Sequence, residues 1–134
     1  MPAALLDTNA VSELMRDDLK VKARLGSPPD PVLASAIAAG EIRHGLSRLP
    51  AGKKRRDLES RAQNILALLG IEPITQPIAE TYGDLKASLE SQGITPNDND
   101  LWIAATALTL GMIVITRDKD FAKFPGLQVE DWSA

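Results

Sequence analysis

The chain has 134 residues, 44% of them hydrophobic, and a net charge of −3, which fits one packed domain over residues 1–134 and excludes a disordered chain. Cysteine is absent, which excludes a disulfide framework, a zinc–thiolate site and a cysteine nucleophile, and points to a reducing cytoplasm. The acidic balance argues against coating nucleic acid by overall charge, so any such chemistry must come from local patches.

Met1 to Leu6 is apolar but too short for a signal peptide core, and it lacks a basic segment in front. No run approaches the length of a membrane span. Ala3 to Leu6 reads as a buried strand that ends at Asp7-Thr8-Asn9. A helix is predicted from Asn9, as N-cap, to about Arg16. A second helix follows from Asp17 to Leu25, stopping at Gly26-Ser27-Pro28-Pro29. Pro31 to Ser35 is a second strand, and Ser35 caps a helix through Leu49. Pro50 to Leu69 reads as a long helix, with Pro50 in its first turn and Gly70 as its C-terminal cap.

Ile71 to Ile74 is a short strand. Pro77 to Gln92 is an amphipathic helix with Ile78, Tyr82, Leu85 and Leu89 on one face and Gly93 ending it. Pro96 to Leu110 is a buried helix, Met112 to Thr116 the clearest strand, and a helical turn near Phe121 and a strand at Leu127 to Val129 complete the chain. Apolar strands without polar alternation, separated by helices, imply a parallel α/β sheet covered on both faces.

Four acids do not fit this pattern. Asp7 and Asp118 each follow a strand, at the carboxyl edge where parallel sheets bind ligands, although either would also serve in a capped turn. Glu41 falls among Ile37, Ala38, Ile42, Leu46 and Leu49 on the apolar side of its helix, where a carboxylate is costly unless paired or bound to a metal. Its other reading is an acid at the stripe margin, reaching solvent or Arg48. Asp100 shares a face with Ile103, Ala104, Ala107 and Leu108. Its neighbour Asp98 is explained by a capping box with Thr95 as N-cap, whereas Asp100 lies beyond the capping positions. Crowded carboxylates raise one another's pKa, and a divalent cation removes that penalty. Oxygen-only ligands point to Mg²⁺ or Mn²⁺, and to phosphodiester hydrolysis.

Four segments carry a family resemblance: Leu5-Leu6-Asp7-Thr8-Asn9, Ala39-Gly40-Glu41-Ile42-Arg43-His44-Gly45, Asn99-Asp100-Leu101-Trp102-Ile103-Ala104-Ala105, and Val114-Ile115-Thr116-Arg117-Asp118. Together they resemble a PIN domain, and more narrowly the VapC-type toxins of bacterial toxin–antitoxin pairs, including the FitB-like branch. The resemblance runs over essentially the whole chain. It implies a three-layer α/β/α domain with a short central parallel sheet. It also implies a Mg²⁺-dependent endoribonuclease, neutralised by a cognate VapB-type antitoxin. Such toxins are commonly homodimers or parts of larger assemblies, and meet promoter DNA only through the antitoxin. Carried over, Asp7 and Asp100 are the main metal ligands, and Glu41 ligates or orients water. Asp118 occupies a position that is Asn in many relatives. Asn9, Asp98 and Thr116 would support these groups from behind.

Lys53-Lys54-Arg55-Arg56 is the one basic run. It reads either as a solvated helix face or, because its charge opposes the helix dipole, as a contact for RNA phosphates or an acidic partner. His44, the sole histidine, is expected at the surface or rim. Trp102 is expected in the core or a dimer interface rather than under a base. Two rivals remain. A haloacid-dehalogenase-like phosphatase would want an acid where Asn9 stands. A non-catalytic PIN-like binding module would have no need of all four acids.

Overall fold

A computed structural model describes residues 3–25 and 31–134. Its elements run β1 (Ala4–Leu6), α1 (Thr8–Met15), α2 (Leu19–Leu25), β2 (Val32–Ser35), α3 (Ala36–Ser47), α4 (Lys53–Leu69), β3 (Ile71–Glu72), α5 (Gln76–Ser91), α6 (Asp98–Leu110), β4 (Ile113–Ile115), a 3-10 turn (Lys119–Lys123) and β5 (Val129–Glu130). The strands form one parallel sheet in the order β3-β2-β1-β4-β5, with Leu6 level with Ala34 on one side and Ile115 on the other.

Both faces of this short sheet are covered, which is why its strands are apolar throughout. Leu6, Ala34 and Ile115 face a core built with Val11 and Leu14 of α1 and Ala62 and Leu69 of α4. Leu5 and Val114 point the other way, to Leu89 of α5, Leu101 and Ala104 of α6, and Phe121. The α/β/α layering expected from the sequence is therefore present. Helix α3 serves both layers, with Ile42 and Leu46 in the first core and Ile37 against the second.

Several predicted boundaries move, each for a local reason. The first helix starts one residue before Asn9. Asp7 is its N-cap, with an extended backbone and a side chain that accepts the Ala10 N–H. In α6 the N-cap is Asn97 rather than Thr95, because the Asn97 amide oxygen accepts the N–H groups of both Asn99 and Asp100. Asp100 is thus the third helical residue, inside the first turn, not beyond the capping positions. Helix α4 starts at Lys53, after Gly52, whose φ of 150° is closed to most side chains. Pro50 lies before the helix. Gly70 ends α4 with a φ of 83°, as the sequence suggested. The third strand is cut to Ile71–Glu72, and the last falls at Val129–Glu130. The predicted stop of the second helix at Gly26 to Pro29 lies outside the described residues.

Candidate active site

The strand order reverses direction around β1, whose neighbours are β2 and β4. In open parallel sheets such a switch point opens a crevice at the carboxyl ends of the strands. Asp7 is the residue that follows β1. Its backbone N–H continues the ladder by donating to the Ile115 carbonyl at 3.1 Å. Its side chain is buried, with a relative exposure of 3%. Oδ1 accepts from the Ala10 N–H at 2.8 Å and Oδ2 accepts from the Thr116 hydroxyl at 2.5 Å. Those two bonds hold the carboxylate still and favour its charge. Burial outweighs them, and nearby Glu13 and Asp118 add repulsion, so the pKa rises to about 6.

Glu41 sits on α3, which Ser35 caps through its hydroxyl at the end of β2. The Glu41 side chain is half-buried and accepts from the Thr8 hydroxyl at 2.5 Å. It therefore reaches α1, not Arg48. Asp100 is half-buried in the first turn of α6. Its pKa also rises to about 6, through burial first and then through repulsion from Asp118, Glu41, Asp7 and Asp120. Asp118 follows β4 and caps the 3-10 turn, accepting the Asp120 N–H, while its own N–H donates to the Thr116 hydroxyl. The capped-turn reading of Asp118 thus holds, and its charge also raises the pKa of Asp7 and Asp100.

Three further groups named from sequence separate. Thr116 is buried and links Asp7 to the Asp118 backbone. Asn9 is exposed in the first turn of α1. Asp98 is exposed and turned to α5, where it accepts from the Tyr82 hydroxyl and lies 3.8 Å from Lys86 Nζ. It does not join the acids. Tyr82 also stacks flat on half-buried Trp102, with ring centroids 3.7 Å apart. His44 is exposed. Of the basic run, Arg55 is tied to Glu59 and the Leu49 carbonyl, while Lys53, Lys54 and Arg56 are exposed without a salt bridge among the described residues.

Sequence reasoning missed Glu13, Arg117 and Thr8. Glu13 is 5% exposed on α1, and its Oε1 has no hydrogen-bond partner among the described residues. The Arg117 Nε lies 3.3 Å from that oxygen, close enough for attraction but not aligned for a bond. Burial raises the Glu13 pKa more than Arg117 lowers it. The signal was available: Glu13 follows Ala10 by three residues on the buried face of α1, the same argument that singled out Glu41.

The donors gathered here are all oxygens, which suits a hard divalent cation. Among the described residues no group of three His, Asp or Glu side chains stands close enough to enclose an ion. Mg²⁺ usually takes only one or two carboxylates and keeps several waters. Two acids with pKa values pushed up to about 6 by burial and by repulsion from neighbouring carboxylates fit that demand.

A model of the PIN domain matches residues 4–127. The chain is 34% identical over 131 residues to the VapC ribonuclease Y4jK of Sinorhizobium fredii, covering 93% of this chain and 94% of that protein. It is 38% identical over 120 residues to the toxin FitB of Neisseria gonorrhoeae, covering 85% and 86%. Among solved structures it is similar to VapBC2 of Rickettsia felis bound to a promoter DNA fragment, with a TM-score of 0.88, 25% identity and coverage of 97% and 98%. It is also similar to FitAB bound to the IR36 DNA fragment, with a TM-score of 0.82, 32% identity and coverage of 98% and 96%. The convergence of acids on one sheet edge and these likenesses lead to the same place: the chain belongs to the PIN-domain family.

Proposed function

We propose that the chain is a metal-dependent endoribonuclease acting as the toxin of a toxin–antitoxin pair. One observation carries the reading. Asp100 on α6 is repelled by Asp7 after β1, Glu41 on α3 and Asp118 after β4. Carboxylates from three other elements, with Asp120 beside them, thus push the Asp100 pKa up near the switch of the sheet. A fold gains nothing in stability from such crowding, so the arrangement calls for a cation.

Asp7 and Asp100 would hold Mg²⁺ or Mn²⁺, with Glu41 and Asp118 beside them. When bound, the ion would activate water and neutralise charge on the phosphate under attack. The chain's own part is positioning. Thr116 and the Ala10 N–H fix both oxygens of Asp7. Thr8 fixes Glu41 at the rim, and the Asp120 N–H turns Asp118. A partner is part of the proposal too. The similar structures are VapBC and FitAB complexes, some of them on DNA. A VapB-type antitoxin would neutralise this chain and carry the pair to promoter DNA, with the toxin as a homodimer. No helix among the described residues is long and apolar enough to cross a membrane. Cytoplasmic RNA is the substrate that this reading requires.

The test is cleavage of RNA with Mg²⁺ or Mn²⁺, with and without EDTA, by the natural chain and by Asp7→Asn. Cleavage that needs the ion and the Asp7 carboxylate supports the reading. Equal cleavage by both proteins, or by neither, removes it.

A further inference from the structure

Asp100 stands in the first turn of α6, and first turns fray unless something holds them. The charges around it make the position harder to keep, since Asp118, Glu41, Asp7 and Asp120 all repel it. Burial gives little guidance to the rotation of this helix. Ile103 to Ala107 is buried without a break, so α6 is apolar on most sides and several rotations would hide it almost equally well.

Tyr82 of α5 supplies the missing constraint. Its hydroxyl donates to Asp98 Oδ1 at 2.5 Å, and its ring stacks on Trp102 with centroids 3.7 Å apart and planes 7° from parallel. Asp98 and Trp102 are four residues apart, so they share one face of α6 at successive turns. Asp100, midway between them in sequence, lies about 200° around the axis from either, on the opposite face. One side chain thus grips the helix on both sides of the level of Asp100, from behind. Lys86, one turn along α5, completes the arrangement. Its Nζ donates to the Tyr82 hydroxyl oxygen at 3.3 Å and lies 3.8 Å from Asp98.

Stability alone does not account for this arrangement. The Asp98 side chain is 58% exposed, and polar contacts in water contribute little to folding. Helices α5 and α6 are also bonded two turns further along, where the Thr109 hydroxyl donates to that of Thr81 at 2.8 Å. That bond joins the same helices without straddling a carboxylate of the site.

We propose that Tyr82 is a positioning residue: held between Asp98 and Trp102, it sets the rotation of the first turn of α6 and keeps Asp100 where a divalent cation would meet it together with Asp7. The proposal rests on the ribonuclease reading and names what prepares the site before the cation arrives.

The experiment uses the full chain with Mn²⁺ as the probe. Binding is measured by calorimetry without RNA, cleavage is measured alongside, and melting curves report folding. Tyr82→Phe keeps the ring on Trp102 and removes the hydroxyl, and Asp98→Ala removes its acceptor. Each is expected to weaken Mn²⁺ binding about five-fold, less than the ~10–100-fold lost with a direct hydrogen-bond partner of a ligand. The double variant should lose no more than either, because both changes delete one bond. Asp98→Asn, which keeps an acceptor, should recover the affinity. Thr109→Val, which breaks the distant α5–α6 bond, should bind Mn²⁺ like the natural chain even if it melts earlier. If the natural chain binds Mn²⁺ and cuts RNA, and Tyr82→Phe does both equally well, the proposal is overturned and the ribonuclease reading stands. The same holds if Thr109→Val weakens binding as much as Tyr82→Phe, since the grip would then be structural only. If the natural chain neither binds Mn²⁺ nor cuts RNA, both fall.

Discussion

Thr116 donates its hydroxyl to Asp7 across 109 residues of sequence while the same oxygen accepts the Asp118 N–H. One side chain thereby ties the acid after β1 to the acid after β4. The link follows from the register of the two strands. Leu6 is level with Ile115, so the next residue of each strand meets at the sheet edge.

That relationship gives a first prediction. Thr116→Val keeps the shape and removes the donor, leaving buried Asp7 Oδ2 without its partner. The protein should lose about 1–3 kcal/mol of stability, and cleavage should fall about ten-fold. Thr116→Ser, which restores the hydroxyl, should recover most of both. Denaturant unfolding and single-turnover cleavage check this. A valine variant as active as the natural chain would deny the hydroxyl its role.

Asp7 and Asp100 also predict how pH and metal act together. Both bind a proton more tightly folded than unfolded, with pKa values raised from 3.8 to about 6. Their contribution favours the fold fully below pH about 4 and is lost as pH rises through about 6. In EDTA the melting temperature should therefore drop over that interval. Mg²⁺ or Mn²⁺ should restore it above pH 6 and do little at pH 4, since protons and cation compete for the same oxygens. Thermal melts across pH, with and without the ion, decide it.

Substituting the acids should separate stability from chemistry. Asp100→Asn removes a charge that Asp118, Glu41 and Asp7 all repel. In EDTA at pH 7.5 this variant should melt at or above the temperature of the natural chain. It should also gain no stability from added Mg²⁺ and cleave no RNA. Asp98→Asn, whose parent side chain faces Tyr82 and Lys86, should keep activity within about two-fold. Equal losses in the two variants would contradict the placement of Asp98 away from the site.

Glu13 and Arg117 supply a fourth test. Arg117→Ala leaves the buried Glu13 carboxylate without its cation and should cost about 1–2 kcal/mol, moderated because the arginine side chain is 55% exposed. Glu13→Gln removes a charge that pushes the Asp7 pKa up. The low-pH limb of the cleavage profile should then move to lower pH. A profile that stays in place would show that Glu13 does not act on Asp7.

What the sequence determined by itself is local. The apolar runs of β1, β2 and β4 mark strands covered on both sides, because a strand buried on both faces has no reason to alternate. Ser35 and Gly70 mark helix ends through cap chemistry that involves only adjacent residues. The positions of Asp7 and Asp118 after strands, and of Glu41 and Asp100 near apolar helix faces, pointed to one edge of the sheet. Cap choice between neighbouring candidates, as at Asp7 and Asn9 or Thr95 and Asn97, was less readable, since each residue is competent and the backbone angle decides.

Only the tertiary structure decided which acids meet. Asp98 and Asp100 lie two residues apart on one helix, about 200° around its axis, so one faces Tyr82 and the other faces Asp118. The partners of Glu41, Asp7 and Glu13 are Thr8, Thr116 and Arg117, brought in by strand register and helix packing from distant parts of the chain. Local pattern can say that a carboxylate is misplaced. The electrostatic energy that makes it functional depends on separation in space, and that is set by the way the layers close around the sheet.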